Sequence, residues 1–143
     1  MPGPDFVDSQ KHAITASQRE ALLSSARSVL TRAYAPYSRF KVGAALLTEA
    51  GAVYCGCNVE NASYGLTICA ERTAIFSAVA AEGPGMRIRA IAVLSSAQDP
   101  CSPCGACRQV IFELGPHAVV LFQGKDGIKE TRASELLPFG FAF

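Results

Sequence analysis

The sequence predicts an α/β domain built on a mixed sheet. Apolar residues recur at threes and fours in some stretches and as short β-branched runs in others. These alternate along the chain as helix, hairpin, helix, strand, helix, strand, with glycine- and proline-bearing turns between them. A chain of 143 residues can bury a core without covalent staples. One domain over residues 15–143 is therefore expected, after a polar, flexible tail over residues 1–14 that carries Pro2, Gly3 and Pro4.

Each element follows from local chemistry. From Ser17 onward, Ala21, Leu22, Ala26, Val29, Leu30 and Ala33 make the apolar stripe of a first helix. Thr15 or Ser17 is its cap, and Ala35-Pro36-Tyr37-Ser38 breaks it. Residues 42–48 and 52–57 read as two strands joined by Glu49-Ala50-Gly51, a hairpin. A polar loop over 58–67 leads into residues 69–81, rich in helix formers and ended by Gly83-Pro84-Gly85. Residues 88–94 form a continuous apolar, β-branched run suited to a strand buried on both faces. A loop over 95–103 precedes a helix over 104–114, stopped by Gly115-Pro116. A strand over 119–122, a turn at Lys125-Asp126-Gly127 and a helical turn over 134–137 complete the chain.

Charge narrows the partners. The net charge is +1, with lysine and arginine scattered rather than clustered, so there is no electrostatic footprint for nucleic acid. A free small molecule is the expected ligand. The amino terminus lacks both a basic start and an apolar stretch, and no run approaches membrane-spanning length, so the chain is expected in the cytoplasm. Thiols stay reduced there, and six cysteines then argue for metal rather than disulfides.

The chemistry concentrates in Cys69-Ala70-Glu71 and Pro103-Cys104-Gly105-Ala106-Cys107. Three thiolates can hold one zinc and leave its fourth position for water, while a carboxylate two residues from the first thiolate can manage protons there. Cys104 and Cys107 lie three apart on a predicted helix, so their sulfurs share a face. Cys69 stands where another helix begins, and helix N-termini favour thiolates. Three thiolates leave zinc with a net negative charge, which Arg72 or Arg108 could offset by donating to a sulfur. A Cys or His, then Glu, then Pro-Cys-x-x-Cys is the general mark of zinc deaminases acting on cytosine or adenine. In that chemistry Glu71 takes a proton from the attacking water and delivers protons to the ring nitrogen and the leaving amine.

Two metal alternatives use the remaining cysteines. Cys101, Cys104 and Cys107 lack the fourth cysteine of a ferredoxin-type run. Cys55 and Cys57 could join Cys104 and Cys107 in a structural four-thiolate site. Neither explains Cys69-Ala70-Glu71. His12 and His117 read as tail and turn residues.

Taken together, these residues closely resemble the small, homotetrameric, zinc-dependent cytidine deaminases. The resemblance runs from Tyr37 to Phe141. It rests on Pro36-Tyr37-Ser38, Phe40, Val42-Gly43-Ala44-Ala45, Asn58-Val59-Glu60-Asn61-Ala62, Cys69-Ala70-Glu71-Arg72-Thr73-Ala74, residues 102–109 and Leu136-Leu137-Pro138. It implies a three-layer α/β/α sandwich around a five-stranded mixed sheet. It also implies one Zn2+ per subunit on Cys69, Cys104 and Cys107, with Glu71 as proton shuttle and Arg72 offsetting ligand charge. Asn58 and Glu60 would hydrogen-bond the ribose, Phe40 would pack on the pyrimidine, and Ala70 would line the substrate. Phe141 would reach into a neighbouring subunit's pocket and meet the base.

The implied activity is hydrolytic deamination of free cytidine and 2′-deoxycytidine in pyrimidine salvage, with neither nucleic acid nor membrane as partner. Deamination of another cytosine nucleoside, such as blasticidin S, is the competing enzymatic reading; Asn58-x-Glu60 suits a ribose diol and argues against it. A zinc-stabilised binding module is the competing non-enzymatic one.

Overall fold

The structure is a computed structural model that describes residues 12–97 and 99–143. Helix α1 (Ala16–Val29) starts at Thr15, whose hydroxyl accepts from the Gln18 N–H at 3.0 Å while the Gln18 amide oxygen accepts from the Thr15 N–H at 2.9 Å. This reciprocal box satisfies backbone donors that the helix itself leaves open. Of the two expected caps, Thr15 is the one used. The tail expected over 1–14 lies outside the described residues as far as residue 11. Beyond that point Ile14 packs against the α1-side core, and the His12 carbonyl accepts from Arg132 Nη1 at 3.1 Å.

Strands β1 (Val42–Thr48) and β2 (Val53–Cys57) form the expected hairpin, with Ala45 opposite Cys55. Helix α2 (Ala70–Glu82) follows the polar loop, then β3 (Ile88–Ser95), helix α3 (Gly105–Leu114), β4 (Val119–Gly124), β5 (Gly127–Arg132) and the one-turn helix α4 (Ala133–Leu136). The sheet order is β2-β1-β3-β4-β5. Only β3 and β4 run parallel, joined through α3, and the other neighbours are antiparallel. The sheet is therefore mixed, as expected.

Period-two alternation divides the central strands between two cores. Ala45, Leu47, Ala90, Ala92, Leu94 and Leu121 meet α1 through Leu22, Leu23 and Ala26. Ala44, Leu46, Ile91, Val93 and Val120 meet α2 and α3 through Ala74, Ile75, Ala78 and Ile111. The result is the three-layer sandwich. β5 escapes local pattern reading because Gly-Ile-Lys-Glu-Thr-Arg is an edge strand with little apolar content. Pairing with β4, rather than its own hydrophobicity, makes it a strand.

One close approach decides where the site sits. A Cβ at Gly56 of β2 would overlap the α2 backbone at Ala70 and Ala74. Glycine thus lets the first turn of α2 lie directly on the sheet.

Candidate active site

Cys69 is the N-cap of α2 and Cys104 the N-cap of α3, and neither side chain caps its own helix. Cys107 is buried in the first turn of α3. The three sulfurs lie within 4.8 Å of one another, with Cys69 and Cys104 separated by 3.9 Å. A tetrahedral zinc with bonds near 2.3 Å spaces its sulfurs at about 3.8 Å, so this donor set fits the ion. Among the described residues it is the one group of three or more ligating side chains close enough to hold a metal.

The spare cysteines stand elsewhere. Gly56 faces α2, so Cys55 and Cys57 on the same strand face the α1 side. The four-thiolate alternative is therefore not assembled. The Cys101 thiol donates to the Val93 carbonyl at 3.5 Å.

The electrostatics of the cluster are uneven. The Cys69 thiol is lowered to about 5, chiefly by the hydrogen bond from Cys107 and then by Arg72, against the opposing effect of burial. Cys107 is pushed up because it supplies that hydrogen bond, because it is buried, and because the Glu71 carboxylate is near. Arg72 Nη2 approaches the Cys69 sulfur at 3.4 Å. Glu71 is only 4% exposed. Its carboxyl is raised, first by burial; a Cys107 hydrogen bond works against that rise, and the Cys69 charge adds to it. A carboxyl so raised exchanges protons more readily near neutrality than an exposed one.

Arg72 turns its guanidinium to a ligand sulfur. Arg108, the alternative, does not. Its guanidinium donates to the carbonyls of Pro103 (2.7 Å) and Leu136 (3.1 Å) and to the Ser102 hydroxyl (3.3 Å). Sequence adjacency to Cys107 could not show which way the side chain turns.

A cavity of about 360 Å³ opens over the sulfur group and Glu71, and Phe40, Asn58, Glu60 and Ala70 all line it. Asn58 is buried, with Oδ1 accepting from the Val42 N–H at 2.8 Å and Nδ2 donating to the Phe40 carbonyl at 2.8 Å. It holds the entry to β1 in place and keeps one lone pair and one N–H in reserve. Glu60 Oε1 accepts from the backbone N–H groups of Tyr37 (2.9 Å) and Ser38 (3.1 Å), and Oε2 accepts from the Ser38 hydroxyl. The hydroxyl contact is the main reason its carboxyl titrates low.

Phe141 is not part of this chain's own cavity. Its ring is 64% exposed, and its carbonyl accepts from Gln109 Nε2 at 3.1 Å. Ser38, Ile68 and Cys101 line the cavity without having been assigned a site role from the sequence. Ser38 follows Pro36-Tyr37, but nothing local ties it to Glu60, twenty-two positions away.

Residues 16–123 match the family described as "Cytidine and deoxycytidylate deaminase zinc-binding region". The chain belongs to this family of zinc-binding deaminases. It is 48% identical over 126 residues to a cytidine deaminase of Sporosarcina psychrophila, covering 86% of this chain and 90% of that one. It is 50% identical over 126 residues to a cytidine deaminase of Halalkalibacterium halodurans, covering 86% of this chain and 93% of that one. The crystal structure of a cytidine deaminase from Burkholderia pseudomallei superposes with a TM-score of 0.77 at 51% identity, over 90% of this chain and all of that one. Zinc is the cofactor of this deaminase domain, and the group of three cysteines is a site where its chain can hold it.

Proposed function

We propose that the protein hydrolyses free cytidine and 2′-deoxycytidine to uridine and 2′-deoxyuridine with release of ammonia, as a cytoplasmic step of pyrimidine salvage. The observation that carries this reading is the buried Glu71 carboxyl beside three converging sulfurs, at the floor of a nucleoside-sized cavity. Zinc held by Cys69, Cys104 and Cys107 supplies an activated water when bound. Glu71 would relay two protons in turn, the first from the attacking water to the ring nitrogen and the second from the resulting C4 hydroxyl to the departing amine. Arg72 offsets the thiolate charge from the side of Cys69.

The rest of the cavity binds and orients. Phe40 offers an apolar face to the pyrimidine, and Ala70 brings a first-turn backbone N–H of α2 to the same wall. Asn58 and Glu60 meet the sugar with the hydrogen-bonding capacity their backbone contacts leave over. Among the described residues, two carboxylates and no lysine or arginine line the cavity, which favours an unphosphorylated nucleoside over a nucleotide. The exposed ring of Phe141 completes a neighbouring subunit's pocket in a homotetramer.

The test is direct. Purified, zinc-loaded protein mixed with cytidine should shift the ultraviolet absorbance as uridine forms and release an equivalent of ammonia. Bound cytidine with no ammonia would instead favour the binding module.

A further inference from the structure

We propose that Arg108 is a positioning residue that locks the loop carrying Cys104 to the carboxy-terminal segment carrying Phe141, so that one guanidinium sets the placement of both. Its three contacts fall on two separate stretches of chain. Nε meets the carbonyl of Pro103, directly before Cys104, at 2.7 Å, and Nη2 meets the Ser102 hydroxyl at 3.3 Å. Nη1 meets the carbonyl of Leu136, the last residue of α4, at 3.1 Å. Helix ends leave such carbonyls without intrahelical partners.

Among the described residues, the stretch directly before Cys104 makes few other hydrogen bonds. Pro103 is fully buried and has no N–H to donate. The Cys101 N–H reaches the Gln123 carbonyl at 2.9 Å. Between that point and the start of α3, the contacts of Ser102 and Pro103 run to Arg108. The next residue of α3, Gln109, donates to the Phe141 carbonyl at 3.1 Å. Successive residues of one helix therefore fix two points of the terminal segment, and the first of them also fixes the ligand loop.

Geometry explains why this residue is arginine. Its planar fork reaches divergent acceptors at once, whereas a lysine ammonium is a single point on a flexible stem. Among the described residues no carboxylate pairs with Arg108.

The experiment uses zinc-loaded, full-length protein and Arg108→Lys, which keeps the charge and most of the stem. The rate of zinc release to a chelator should rise about tenfold or more, the scale of losing charge-assisted hydrogen bonds. The KM for cytidine should rise by a similar factor, with kcat within about twofold. In a protein lacking residues 139–143 the same substitution should still speed zinc release but should no longer change KM, because the coupled segment is gone. Ser102→Ala, which removes a single contact from an exposed side chain, should speed zinc release by a smaller factor and guards against a folding defect in the lysine variant. Unchanged zinc release in both variants overturns the proposal, as does a full KM effect in the truncated protein. The kinetic arm rests on the deaminase reading. The release arm needs no turnover, so failure of one is distinguishable from failure of the other.

Discussion

Glu71 occupies the first turn of α2, where a carboxylate ordinarily does no more than complement the helix dipole. Burial beside Cys69 and Cys107 changes its task, since an ionised carboxylate there has lost most of its water. Glu71→Ala should retain zinc, because the carboxylate is not among the three sulfur donors. Its turnover should fall by about 10²–10⁴-fold. Metal analysis beside a uridine assay checks this, and retention of more than about a tenth of the activity would falsify the shuttle role. The cysteines divide in the same manner. Cys69→Ala and Cys104→Ala should lose zinc, whereas Cys55→Ala, Cys57→Ala and Cys101→Ala should each keep one ion per chain. A need for Cys55 or Cys57 in metal binding would contradict the separation of the two sheet faces.

At the scale of elements, the site depends on two helix starts brought together by a sheet. Gly56→Ala should force α2 away from β2, because its Cβ overlaps the α2 backbone rather than a movable side chain. Overpacking of this kind costs about 1–3 kcal/mol. The shift also displaces Cys69 and Glu71, so kcat/KM should fall together with the urea midpoint; normal kinetics in a destabilised variant would show that the first turn of α2 tolerates movement. Thr15→Ala is the contrasting case. It removes a cap from α1, on the opposite face of the sheet, and should cost about 1 kcal/mol of stability. Catalytic constants measured well below the unfolding temperature should not change.

For the whole molecule, the decisive feature is the terminal segment. Phe139, Phe141 and Phe143 are 104%, 64% and 117% exposed, an arrangement a lone chain gains nothing from in water. Phe141 and Phe143 pack on each other with ring centroids 5.8 Å apart, so even their mutual contact leaves an apolar surface open. Phe141→Ala should raise the KM for cytidine with zinc retained, and deletion of residues 139–143 should also weaken assembly. Sedimentation combined with initial rates checks both effects. A fully active monomer would remove the shared active site while leaving the deaminase reading intact.

The sequence by itself determined the elements whose causes are local and the residues whose chemistry is tied to short spacing. The start of α1, narrowed to a cap at Thr15 or Ser17, the hairpin, the apolar run of β3 and the glycine stops all act within a few positions. So does Cys69-Ala70-Glu71, and Cys104 and Cys107 share one helix face because they are three apart. Only the tertiary structure decided the contacts that link distant positions. β5 has too little apolar content to announce itself and exists through its pairing with β4. The Glu60 carboxylate could not be matched to Ser38 and Tyr37 by any local rule. The two arginines beside the ligands look equivalent in sequence, yet Arg72 turns to a sulfur and Arg108 to three oxygens. Backbone propensity and spacing act over one or two turns of chain, whereas the direction of a long, flexible side chain is set by whichever acceptors the folded sheet and its loops bring within reach.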